Sequence, residues 1–212
     1  MNFGESLAYW YFRLNGFIPL TNFVLHRPDV PHRHNADSDL LAVRFRHVYE
    51  EIGGQTNDWD NERFRRWGLD HFNRTVCVIG EIKTGRYDED DVNRAFDLRR
   101  LLYAIRRFGV MASPECDDVG FRLSNKDVVT HGEFSFAKVL VANSALRRRR
   151  TGNVTPHCQI ELKDAVEFIR TRMNRYPGHK EPARMFFPGD LIQFFAWEAG
   201  VAIADTEAGH EE

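Results

Sequence analysis

Two stretches of this chain, Thr75–Lys83 and Phe134–Ala142, are apolar along most of their length and are bounded by polar residues. Such runs predict strands buried on both faces. Residues 39–45 predict a third strand and residues 17–26 a fourth. Near the N-terminus Leu7, Trp10, Tyr11 and Leu14 follow the i, i+3, i+4, i+7 spacing of a helix. Ala8, Tyr9 and Phe12 add a second apolar face, so this helix is expected to be buried on two sides and to stop at Asn15-Gly16. After the break at Thr84-Gly85, the acidic run Asp88-Glu89-Asp90-Asp91 suits a helix N-terminus. One helix is predicted from there through Val92, Ala95, Phe96, Leu98, Leu102 and Ile105, with Arg106-Arg107 in its last turn and Gly109 as its stop. Further helical patterns cover 161–175 and 189–199. The resulting order is helix, strand, strand, strand, helix, strand, then helices, an α/β arrangement.

Between these elements, residues 26–37 form a polar loop with Pro28 and Pro31. Residues 47–74 form a long insertion with Trp59, Trp67 and a short helix near 62–67. The chain divides into a core at 1–142 that carries this insertion, a helical extension packed on it at 143–202, and an acidic tail at 203–212. A hydrophobic fraction of 42% with 17 Phe supports a substantial core. The balance of 29 basic and 31 acidic side chains excludes a simple polycation, so any nucleic-acid contact must be local. Arg147-Arg148-Arg149-Arg150 is a candidate phosphate-binding run or a solvated loop. Arg99, Arg100, Arg106 and Arg107 read as a charged helix face and C-terminal cap. The three cysteines, Cys77, Cys116 and Cys158, have no CxxC spacing and fit a reducing, cytoplasmic setting. No apolar run approaches the ~20 residues of a membrane span.

Candidate chemistry lies where strands end in charge. In Glu81-Ile82-Lys83 the two charged side chains project from one strand face and Ile82 from the other. Chance alone supplies about one Glu-x-Lys in a chain of this length, and Glu161-Leu162-Lys163 is a second copy. That copy opens a helical pattern, which would turn Lys163 about 200° away from Glu161. The copy at 81–83 differs because it ends an apolar strand and because another acid-bearing strand, beginning Asp39-Leu40-Leu41-Ala42, precedes it. Asp37, two positions earlier, is a rival for Asp39; Asp39 is preferred because it abuts the apolar run.

This combination resembles the PD-(D/E)XK nuclease superfamily, in its Holliday-junction-resolvase-like branch, over roughly residues 4–108. Gly4-Glu5-Ser6-Leu7-Ala8 through Gly16-Phe17 is similar to the family's opening helix, Asp39-Leu40-Leu41-Ala42 to its aspartate strand, and Glu81-Ile82-Lys83-Thr84-Gly85 to its ExK strand. Ser38 stands where the motif's name has proline, and the gap from Asp39 to Glu81 is long. The resemblance implies a restriction-endonuclease-like core, a mixed sheet flanked by helices, here with extra C-terminal helices. It implies Asp39, Glu81 and the Ile82 carbonyl as ligands of Mg²⁺, with Mn²⁺ able to substitute, Lys83 as the catalytic lysine and Glu5 as an outer acidic residue. The implied activity is hydrolysis of DNA by an endonuclease of restriction, defence or repair, as a homodimer or with a partner subunit. Oxygen ligands suit a hard cation that keeps several waters. Two carboxylates that share no cation repel, so such a site should be electrostatically strained until metal binds.

The competing readings are structural. Glu81 and Lys83 could be an ion pair at a strand end. The whole chain could be a non-catalytic nucleic-acid-binding or assembly subunit that keeps the fold. His26, His32 and His34, and His157 beside Cys158, read as loop residues rather than a zinc site, because no second spaced pair accompanies them. Trp59 and Trp67 could stack on bases or pin the insertion to the body. No GxSxG, P-loop or GxGxxG is present.

Overall fold

The computed structural model describes residues 2–25, 36–49, 55–144 and 158–175. Helix α1 (Phe3–Leu14) starts at Asn2, whose side chain accepts the Glu5 N–H at 2.9 Å while the Glu5 carboxylate accepts the Asn2 N–H at 3.0 Å. This reciprocal cap satisfies two of the donors that a helix start leaves open. Leu7, Ala8, Tyr11 and Phe12 are fully buried, as the two-faced pattern requires. Strands β1 (Ile18–Leu25) and β2 (Ala36–Arg44) pair antiparallel, and β3 (Thr75–Lys83) pairs antiparallel with β2. Asp37 is therefore a strand residue opposite Val24, not part of the loop expected to run as far as 37; residues 26–35 lie outside the described residues.

The helix expected from Asp88 to Gly109 is two helices, α3 (Glu89–Ala95) and α4 (Leu98–Phe108). Asp97 ends the first by starting the second: its side chain accepts the Arg100 N–H at 3.0 Å. Helix α5 (Ser113–Asn125) and strand β4 (Val128–His131), for which the hydrophobic pattern supplies no prediction, follow. A turn at Gly132 leads from β4 into β5 (Phe134–Ala142). Strand β6 (Cys158–Glu161) and helix α6 (Leu162–Asn174) complete the described chain, so the segment expected to be purely helical contributes a strand to the sheet. The pattern at 189–199 and Arg147–Arg150 lie outside the described residues.

The fold is α/β: among the described residues, a mixed six-stranded sheet with helices on both faces. Its order is β1-β2-β3-β5-β4, with β6 joining β5 further along the same strand. The β3–β5 and β5–β6 pairs are parallel. One face packs Leu40, Ala42, Val78, Ile82 and Val139 beneath α1 and α6. The other packs Leu41, Cys77, Ile79 and Phe136 beneath α4 and α5. Central β3 is buried along its length except at Lys83, which explains why its sequence is apolar on both faces. Among the described residues no helix is long and apolar enough to cross a membrane.

The insertion at 47–74 is tied to the body, with its short helix α2 at Asn61–Arg66. The Tyr11 hydroxyl donates to Asp60 at 2.6 Å, and Arg63 reaches Asp60 at 2.8 Å and Asp164 at 3.1 Å. Trp59 is buried against the Arg44 guanidinium, 4.2 Å from its ring centroid, and Trp67 packs on the core, so both act as anchors.

Candidate metal centre at a fork between two strands

The β2–β3 ladder ends at the pair Leu40–Gly80. One step further in the same register, Asp39 faces Glu81, and directly opposed residues of an antiparallel pair share a sheet face. That is the face of Leu41 and Ile79, beneath α4. The ladder gives way here to a side chain: the Asp39 carboxylate accepts the Ile82 N–H at 2.7 Å. In extended backbone a residue's N–H and C=O point to the same edge, so the Ile82 carbonyl is also directed into the fork. The Lys83 carbonyl, one residue on, points to the opposite edge, where it accepts the Asn143 N–H at 3.2 Å.

Lys83 Nζ lies 2.7 Å from Glu81 Oε1. The pair projects from the end of β3 as strand alternation requires, with Glu81 buried and Lys83 partly exposed. Burial pushes the Glu81 carboxyl above the ordinary carboxylate range, and the charge of Asp39 pushes it further; Lys83 and Arg100 oppose the rise. Asp39 is also raised by burial, against the Ile82 hydrogen bond and the charge of Lys83, with Glu5 adding to the rise and Arg100 opposing it. Two carboxylates on one sheet face, Glu81 buried and Asp39 half-buried, each with raised proton affinity and with a carbonyl aimed between them, form an all-oxygen donor set of the kind a hard divalent ion prefers. The residues present therefore fit such an ion. Among the described residues no three His, Cys, Asp or Glu side chains gather into a metal-holding group, so the fit rests on this pair and the Ile82 carbonyl.

Glu5 reaches this edge from the other face. A Cβ on Gly4 would collide with the Thr84 and Ile82 side chains, so the glycine lets the first turn of α1 sit against the end of β3. The Glu5 oxygens bond Asn2, at 3.0 Å to its N–H and 2.6 Å to its side-chain amide, and the charge of Glu5 is felt at Asp39. The second Glu-x-Lys copy, at 161–163, differs from its helical expectation. Glu161 ends β6 in extended backbone, so the helical turn between the two residues does not apply, and Lys163 pairs with Glu161 at 2.8 Å. The sequence reading missed Arg100 as a site residue, although its charge acts on both carboxylates. The missed signal is Asp97, which restarts the helix and so places Arg99 and Arg100 in a first turn, where the macrodipole disfavours cations.

The strain has a measurable sign. A raised carboxyl pKa means that the folded chain binds the proton more tightly than the unfolded chain. Metal-free stability is then greatest below the unfolded value of about 4.3 and falls as pH rises through the higher folded value. Glu81→Gln removes that loss, and the partly exposed contact with Lys83 offsets little of the gain. In chelator at pH 7 the variant is expected to melt ~2–4 °C above wild type, corresponding to about 1 kcal/mol. A lower Tm would contradict the strained pair.

No family model, curated protein or solved structure matches this chain.

Proposed function

We propose that this protein is a divalent-metal-dependent nuclease of the PD-(D/E)XK type, with a restriction-endonuclease-like core, that hydrolyses DNA. The observation that carries this reading is the Asp39–Glu81 pair on one sheet face where β2 and β3 part, with Lys83 in contact with Glu81. Asp39, Glu81 and the Ile82 carbonyl would hold Mg²⁺ or Mn²⁺, which when bound would polarise the phosphate and acidify a water. Asp39 can keep the Ile82 N–H on one oxygen while the other serves as a ligand. Lys83, beside Glu81, would orient the attacking water or balance charge on the phosphorane. Hydrolysis forms one P–O bond from water and breaks the bond to the leaving sugar oxygen. The water gives up a proton and the leaving oxygen takes one, so no co-reactant is needed. Arg147–Arg150 as contacts to DNA, and a homodimer or a partner subunit, remain part of the proposal.

The second reading is a nucleic-acid-binding or assembly subunit without catalysis, favoured by the net charge of −2. Against it stands the strained carboxylate pair, which a retired site has no physical need to keep. Labelled single- and double-stranded DNA and RNA, incubated with and without Mg²⁺, separate the two readings. Metal-dependent cleavage of DNA is expected, together with Mg²⁺ uptake by calorimetry that is lost in Glu81→Gln. Binding of nucleic acid with neither cleavage nor Glu81-dependent uptake would favour the second reading.

A further inference from the structure

We infer that Arg100 anchors the scissile phosphate, its guanidinium taking the phosphodiester beside Asp39, Glu81 and Lys83. This deepens the nuclease reading and rests on it. Arg100 stands in the first turn of α4, three residues after the cap Asp97, where the helix dipole is unfavourable to a cation unless an anion faces it. Helix α4 lies over the sheet face of the two carboxylates: Leu101, the next residue, is fully buried in one cluster with Leu41 and Ile79, which immediately follow and precede the fork. The Arg100 Nη1 donates to the Arg94 carbonyl at 3.3 Å, which braces the side chain against the end of α3.

Charge balance supplies the need. Asp39, Glu81 and Glu5 bring three negative charges and Lys83 one positive. A divalent ion only neutralises that set, which leaves a phosphodiester without net attraction and a doubly charged phosphorane without compensation. Arg100 makes the site positive. A guanidinium also suits the task because it can hold two phosphate oxygens at once. A chain with near-zero net charge has no global field to do this instead.

The test compares wild type, Arg100→Gln and Arg100→Lys in two assays: calorimetric Mn²⁺ titration without DNA, and steady-state cleavage of a duplex oligonucleotide in Mg²⁺. In Arg100→Gln, kcat/KM is expected to fall about 10²–10³-fold, while Mn²⁺ binds as tightly or several-fold more tightly, because a cation competing for the same carboxylates is gone. Arg100→Lys should recover part of the activity. A merely structural role would lower metal affinity and activity together. That outcome, or an Arg100→Gln enzyme with unchanged kcat/KM, overturns the inference and leaves the nuclease reading standing. Wild type that neither takes up Mn²⁺ nor cleaves overturns both.

Discussion

Asp39→Asn is expected to reduce metal-dependent cleavage by about a thousandfold or more while the fold is kept. The substitution removes one of two carboxylate ligands and half of the charge that holds a divalent ion. It does so without disturbing the fork. The Asn carbonyl can accept the Ile82 N–H that Asp39 now accepts at 2.7 Å, so the backbone at the end of the ladder stays satisfied. Asp39→Ala would leave that N–H without its acceptor, at a cost of about 1–3 kcal/mol, and would confuse lost chemistry with lost structure. Because the ionised pair is strained, Asp39→Asn should fold at least as stably as wild type in chelator. An Asp39→Asn protein that unfolds cooperatively at the wild-type temperature or above and still cleaves at the wild-type rate would remove Asp39 from the mechanism.

The largest effect on stability is expected away from the site, at Arg44. This arginine ends β2 on the side opposite the fork and is only 1% exposed. Its Nε donates to the Asn15 carbonyl at 3.0 Å, its Nη1 donates to the His71 carbonyl, and its guanidinium lies over the Trp59 ring. Burial pulls it down to about 10. One side chain thus joins the end of α1, the insertion and the sheet. Arg44→Ala would leave two carbonyls unsatisfied, each at about 1–3 kcal/mol, and open a cavity beneath Trp59. A loss of about 3–5 kcal/mol is expected in urea denaturation, the sum of two orphaned carbonyls and the cavity. A loss below ~1 kcal/mol would mean that the insertion is not held through this residue.

What the sequence disclosed follows from where burial is two-sided. Strands β3 and β5 could be read to their ends because every position between their polar limits is packed. Helix α1 could be read because its two apolar faces and its Asn15-Gly16 stop agree. Helix α5 was hidden although Cys116, Val119, Gly120 and Leu123 lie at helical spacing. Two of those four are small, and Gly120 is small because a Cβ there would collide with Leu102 of α4. Strand β6 was hidden because it is only four residues long and runs directly into the helical spacing of Leu162, Val166 and Ile169, so that only pairing with β5 separates strand from helix. At the site, Glu81 and Lys83 could be read from strand alternation alone. Their relation to Asp39 depends on the register of two strands separated by a long insertion, and Arg100 depends on a helix break that local apolar periodicity runs straight through.

The most direct test of the central claim is an anomalous difference map from a crystal of the protein grown with Mn²⁺. One strong peak is expected at ordinary metal–oxygen distance, about 2.0–2.3 Å, from a carboxylate oxygen of each of Asp39 and Glu81 and from the Ile82 carbonyl, with Lys83 Nζ drawn off Glu81. A map with saturating Mn²⁺ and no peak at the fork, and with Lys83 still seated on Glu81, would contradict it.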